Sequence, residues 1–161
     1  MRMNEGVEWA LHSCVNLTWM DSGEAVTAAR LAAFYELPTA YLNKQLQALA
    51  RAGILTSTSG PRGGFRLARA PKDISVLDVV TAIEGPEEAF RCEGILSKGP
   101  NGREDVDYRK HCVISQSMRK ADLAWRKELA GQTIAEIAET VEKRFPGTPG
   151  GVRNRFANLR T

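Results

Sequence analysis

The sequence predicts a mainly α fold with a small β wing, and three observations carry that prediction. Apolar residues recur at helical spacing through most of the chain. The period shortens only between Ile54 and Leu67, where Gly60 and Gly63-Gly64 separate a pair of short runs of strand-forming residues. Capping signals open two later helices: Ser75 is followed three residues on by Asp78, and Thr133 by Glu136.

The elements follow in order. A first helix fits Asn4 to Trp19, with Val7, Leu11, Cys14, Val15 and Leu17 on its apolar stripe, and Asp21-Ser22-Gly23 breaks it. An Ala-rich helix fits Thr27 to Tyr35, with Leu31 and Phe34 inward. Glu36-Leu37-Pro38 turns the chain, and Thr39 is placed to cap a third helix, Ala40 to Ala52. Leu42, Leu46 and Leu49 share one side of it, and Gly53 stands where a left-handed cap belongs. Two strands, 54–58 and 65–67, flank Ser59-Gly60-Pro61-Arg62-Gly63-Gly64. The Ser75 box opens a helix to Glu84, stopped by Gly85-Pro86. From Glu87 to His111 no period is sustained, and a stretch this long without structure is functional or disordered. Val113 to Ala130 is helical again, with Met118, Ala121, Trp125 and Leu129 at spacings of three and four. Gly131 ends it, and the Thr133 box starts a last helix to about Lys143. Beyond Phe145 two prolines and three glycines predict a frayed tail.

Composition narrows the class. Hydrophobic residues are 43% and charged residues 25% of the 161, a globular balance that argues against disorder. Lys and Arg number 22 against 19 Asp and Glu, and the net charge of +3 permits an anionic partner without demanding one. No apolar run approaches the roughly 20 residues of a membrane span. Met1 to Leu17 interleaves Glu5, Glu8 and His12 with its apolar positions, unlike a signal peptide. Three cysteines are too few and odd in number for a disulfide framework, so a cytoplasmic protein is expected.

Helix, three-residue turn, helix and then a Gly-rich hairpin is the order of a winged helix-turn-helix. The second helix of such a pair lies in the major groove and presents its first residues to base edges. Here those are Thr39, Tyr41, Asn43, Lys44 and Gln45. Asn and Gln make paired hydrogen bonds to adenine, and Lys reaches guanine or phosphate. Arg62, between Pro61 and Gly63-Gly64, projects a cation from the wing tip toward the minor groove or its phosphates. A polar helix face is also what solvent alone would select. The agreement of helix order, turn length and a basic wing decides for double-stranded DNA.

Ala29-Arg30-Leu31-Ala32, Tyr41-Leu42, Ala52-Gly53-Ile54-Leu55 and Gly60-Pro61-Arg62-Gly63-Gly64-Phe65-Arg66-Leu67 together resemble the IscR/NsrR-type winged-helix transcription regulators, the Rrf2 family. Ile74-Ser75-Val76-Leu77-Asp78-Val79-Val80-Thr81-Ala82-Ile83-Glu84-Gly85 is similar to that family's next helix, and the likeness runs from Val7 to about Val141. It implies a homodimeric bacterial DNA-binding regulator, often a repressor, that often holds an iron–sulfur cluster. The expected division is a DNA-binding domain at 1–85, a cluster-binding loop at 86–112, dimerisation helices at 113–143 and a flexible tail at 144–161. Met118, Ala121, Trp125 and Leu129 are the stripe expected to meet a second copy, and two-fold symmetry then implies an inverted-repeat operator.

The family's usual cluster site uses three cysteines in the loop after the fourth helix, and this chain departs from it. Its loop region offers Cys92 and Cys112, with Tyr108 where a middle cysteine would fall. A [2Fe–2S] centre takes four protein ligands, and non-cysteine ligands can serve one iron. Glu8 and His12, at i and i+4, leave one face of the first helix about 6 Å apart at Cβ. Glu8-Trp9-Ala10-Leu11-His12 is similar to the opening helix of a redox-sensing branch of the family. In that branch Glu and His of one subunit and two Cys of the other hold the cluster. The resemblance therefore implies Glu8, His12, Cys92 and Cys112 as ligands of a [2Fe–2S] centre. His111, beside Cys112, competes with His12. Trp9 is placed to cover the site, and Cys14 on the apolar stripe reads as a small hydrophobe.

Two alternatives stay open. A Glu–His pair at i, i+4 is a common surface contact, and Cys92 with Cys112 also suits the runner-up reading, a cluster-free thiol/disulfide or metal-responsive repressor. An enzyme is disfavoured, because no Gly-rich nucleotide loop, HExxH or Ser/His/Asp arrangement is present.

Overall fold

The computed structural model describes residues 3–21, 24–60, 63–100, 102–103 and 105–159. It is the mainly α fold with one antiparallel β hairpin that the sequence predicts. No described helix is long and apolar enough to cross a membrane.

Helix α1, Glu5–Thr18, starts where the Asn4 side chain accepts the Gly6 N–H at 2.8 Å. Val7, Ala10, Cys14, Val15 and Leu17 go inward. Thr27 caps α2, Ala28–Phe34, by accepting the Arg30 N–H. Helix α3, Thr39–Arg51, begins one residue earlier than the sequence predicts. Pro38, with φ near −60°, takes the capping position, and its carbonyl accepts the Tyr41 and Leu42 N–H groups. Thr39 is thereby drawn into the first turn. Gly53, at φ +69°, closes α3 in the left-handed conformation expected of it.

Strands β1, Leu55–Thr58, and β2, Gly64–Leu67, pair from Leu55↔Leu67 to Thr58↔Gly64. Val26 adds a bridge to Phe65, with mutual backbone bonds of 2.9 and 2.8 Å that tie the wing to the start of α2. Helix α4, Val76–Glu84, and helix α7, Ile134–Arg144, both open on complete capping boxes. Between α4 and α6, Val113–Ala130, the long loop holds a 3₁₀ turn at Ile95–Lys98 and one short helix, α5, Tyr108–His111.

The main core joins the DNA-reading helices to α4, α7 and α8, and a smaller cluster of Val7, Val76 and Val80 lies beside it. Leu31, Leu42, Leu46, Leu49, Ile54, Ile74, Ile134 and Phe156 are all fully buried in the main core. Three expectations need correcting. First, the tail expected at 144–161 is not frayed over its described part, 144–159: Thr148–Asn158 forms helix α8, with Phe156 and Val152 buried. Second, α7 turns one face into its own chain's core. Ile134 and Ala138 are buried in the core, and the Ile134 N–H bonds to Ile74 O at 3.0 Å. Third, the far end of the α6 stripe is already covered, because Trp125 and Leu129 pack on Val7, Val76 and Val80 of the same chain. What α6 leaves exposed is Val113, Ile114, Met118 and Leu123.

Candidate DNA interface and metal-ligand pairs

Of the residues expected to read DNA, Thr39 and Lys44 are exposed, and Tyr41 and Asn43 are half-buried on α3. Gln45 is different: it is buried, turned toward α1 at Gly6. A Cβ at Gly6 would fall 2.8 Å from the Gln45 amide carbon, so the two helices meet with no room for a side chain. Gln45 is thus a packing residue, and the expectation that it faces a base is corrected. The sequence pattern missed the rest of the outer face. Gln47 is half-buried and Arg51 exposed, and with Lys44 they follow one another at +3 and +4. That spacing was the available signal.

In the wing, Pro61 and Arg62 lie outside the described residues. Gly63 is buried, and its would-be Cβ falls 2.3 Å from Thr58 O, so it serves the turn rather than presenting a surface. Arg66, exposed on β2, is a cation of the wing that the sequence pattern did not single out.

Glu8 and His12 both lie exposed on α1. Around them Trp9 and Tyr35 form an aromatic patch: the Trp9 and Tyr35 rings are 5.3 Å apart and the His12 and Tyr35 rings 6.4 Å. Tyr35 Oη accepts the Asn16 side-chain N–H at 2.7 Å, and burial raises the phenol above its ordinary value. The Trp9 Nε1–H is buried and has no acceptor among the described residues. Cys14, one turn from Ala10, is buried in the core, and burial pushes its thiol up to about 12. It stays protonated and is a poor ligand.

Cys92 and Cys112 are free, half-buried thiols. Cys92 lines an open polar cleft with Glu87, Glu88, Arg91, Ser115 and Arg119, whose wall is braced by an Arg119–Glu88 pair at 3.4 Å. Cys112 is the residue on which α6 opens, one turn before Ser115. His111, its neighbour, is exposed at the end of α5. Tyr108 Oη accepts the Arg103 N–H at 2.9 Å within the loop. No three His, Cys, Asp or Glu side chains gather into a metal-binding group among the described residues. The single chain therefore carries a Glu–His pair on α1 and two thiols around the start of α6, and does not unite them.

A two-helix reading unit with a Gly-rich wing on a helical support defines a winged-helix DNA-binding regulator. The comparisons agree: residues 3–140 match the profile of Rrf2, described as an iron-dependent transcriptional regulator, and the chain belongs to that family. The chain is 35% identical over 138 residues to Rv1287 of Mycobacterium tuberculosis, named an HTH-type transcriptional regulator, covering 86% of this chain and 81% of that one. It is 26% identical over 145 residues to YffB of Lactococcus lactis, of the same description, covering 90% and 92%. Among solved structures it is similar to IscR of T. potens, with a TM-score of 0.63 at 20% identity over 90% of this chain and 91% of that one. CymR of B. subtilis, the global cysteine regulator, gives 0.62 at 19% over 87% and 98%. Both structural likenesses are likenesses of fold.

Proposed function

We propose that the protein is a homodimeric transcription regulator that senses redox state through a [2Fe–2S] cluster, held by Glu8 and His12 of one subunit and Cys92 and Cys112 of the other. One observation carries the reading. Each pair of donors is accessible, and among the described residues neither has a third donor from its own chain. Two incomplete half-sites on one chain make a complete four-ligand set when two chains face each other. The donor chemistry also fits, since two thiolates and two non-thiolate ligands satisfy such a centre. The buried Trp9 N–H, next to Glu8 in sequence and without an acceptor among the described residues, supports a partner at the α1 pair.

Such a cluster supplies one-electron redox chemistry when bound. The chain's own residues supply the rest. His12 has a second ring nitrogen that can carry or share a proton. Glu8 and His12 ride on the helix that buries Gly6 against Gln45 of α3. A small displacement of α1 therefore reaches the recognition helix through direct backbone-to-side-chain contact, and alters operator affinity. Thr39, Tyr41, Asn43 and Lys44 are assigned to the DNA, with Gln47 and Arg51 continuing the same face.

The test is iron and acid-labile sulfide per chain, with the visible spectrum, on anaerobically purified protein. Cys92→Ala or Cys112→Ala is expected to abolish the chromophore, and His12→Ala to change its spectrum and potential. A fully coloured His12→Ala protein with unchanged potential removes His12 and returns His111 to the site. A colourless wild-type protein whose Cys92 and Cys112 become protected from alkylation on oxidation supports the thiol switch instead, the reading favoured by their being free and half-buried.

A further inference from the structure

Helix α8 lies beyond the segment shared with the family: the match ends at residue 140 and α8 begins at Thr148. An 11-residue helix opening on Pro149, Gly150 and Gly151 does not hold its shape alone in water. It must therefore be held by what it docks on, which is α7, the main core and above all α2, the support helix of the DNA-reading pair.

The docking is reciprocal. Arg30 of α2 donates from Nη2 to Phe156 O at 2.5 Å, and Arg155 of α8 donates from Nη2 to Phe34 O at 3.4 Å. Both carbonyls belong to the last turn of their helices, where no helical N–H follows to meet them. Each helix thus lends the other a cation at its negative end. Between the two arginines the Phe34 and Phe156 rings stack at 4.6 Å, and the Arg155 guanidinium lies 5.2 Å from the Phe34 ring centre. Phe156 is completely buried in the main core. Arg155 also reaches Glu36 at 3.9 Å, and Glu36 is the turn residue held at φ +58° just before α3. A third arginine, Arg153, donates to Trp19 O at 3.2 Å and ties α8 to the end of α1.

We propose that α8 is a positioning element of the DNA-binding unit, which fixes the end of α2 and the turn into α3 and so sets the pose of the recognition helix. It rests on the DNA-binding reading and is independent of any cluster. The contacts from Arg155 fall on the last residue of α2 and on the turn that follows it, which is where the angle between α2 and α3 is determined. Arg155 is the residue to test, because its side chain is 54% exposed and its removal leaves the buried Phe156 anchor in place.

The probe is a duplex enriched from a random library by the full-length wild-type protein. Arg155→Ala should weaken binding to it roughly three- to ten-fold, the coupling expected between contacting residues. The slope of log K against log salt should stay unchanged, the thermal midpoint should stay near wild type, and Arg155→Lys should restore most of the loss. The backbone amides of Tyr35, Glu36, Leu37 and Thr39 should exchange faster in Arg155→Ala. Truncation after Pro146 should cost more affinity than Arg155→Ala while α3 remains folded by circular dichroism and exchange. Wild-type affinity in Arg155→Ala overturns the proposal. So does a salt slope reduced by roughly one per subunit, which would mark Arg155 as a direct phosphate contact, and so does an affinity loss that only tracks a lowered midpoint. Failure of the wild-type protein to enrich any duplex overturns the DNA-binding reading and this proposal together.

Discussion

Asp122 is a buried carboxylate on a helix that is otherwise largely exposed, and its partners explain why it is there. Its Oδ2 accepts Arg126 Nε at 2.7 Å and its Oδ1 accepts the Ala89 N–H at 3.3 Å. Arg126 in turn donates to Pro86 O and Glu87 O at 3.2 and 2.6 Å. One ion pair on α6 thus pins the first residues of the long loop, a short stretch before Cys92. The hydrogen bond from Arg126 holds the Asp122 carboxyl below the usual aspartate range, against the opposing effect of desolvation. A carboxyl with a depressed folded-state pKa stabilises the protein above its unfolded value, about 3.9, and loses that contribution as pH falls through the lower folded value. Asp122→Asn is therefore expected to cost roughly 1–2 kcal/mol at pH 7. The gap in urea midpoint between variant and wild type should close below about pH 4. A gap that persists at pH 2 would assign the effect to packing rather than charge.

Among the elements, the wing depends on one glycine that no other residue can replace. Gly64 sits at φ +140°, and a Cβ there would fall 2.5 Å from the Val26 carbonyl carbon and oxygen, which are backbone atoms with nowhere to go. Gly64→Ala is expected to cost roughly 2–3 kcal/mol through strain and steric clash. The Val26 and Phe65 amides should lose their exchange protection first, since their mutual bonds join the wing to α2. Elements of this kind, punctuated by Gly, Pro and capping boxes, are readable from the sequence: Ser75 with Asp78, Thr133 with Glu136, and Gly53 each act locally as their chemistry dictates. Helix α8 is not readable in that way. Prolines and glycines are breakers in a helix interior, but Pro149 stands in the first turn, where its missing N–H costs nothing. The telling signal is Val152 and Phe156 at i, i+4. Gln45 misleads for a different reason: a polar residue on a polar stretch reads as outward, and only the close approach of Gly6 turns it in. The ligand pairs at Glu8/His12 and Cys92/Cys112 are legible by resemblance alone, because their proposed union lies between chains and leaves no trace in the spacing of one.

The whole molecule shows an unfinished surface on α6. Val113, Ile114 and Leu123 are more than 60% exposed and Met118 is 42% exposed, while the far end of the same helix is covered by its own chain. Ile114 and Met118, at i and i+4, are the continuous stretch of that surface and the place where a second copy would seat. Burying one Ile or Met side chain is worth about 1.5–3 kcal/mol. In a two-fold dimer each position occurs twice, so replacing one removes roughly 3–6 kcal/mol from the association, or about two to four orders of magnitude in dimer Kd. Ile114→Glu is therefore expected to sediment as a monomer at micromolar concentration where the wild type is a dimer. The same variant bears on the cluster, because it leaves Glu8, His12, Cys92 and Cys112 untouched. If the four ligands come from two chains, the monomer loses the visible chromophore together with its partner. It also loses cooperative binding to an inverted repeat whose half-sites lie about 10 bp apart. A monomeric Ile114→Glu protein that keeps its iron, sulfide and colour would show that one chain holds the cluster by itself.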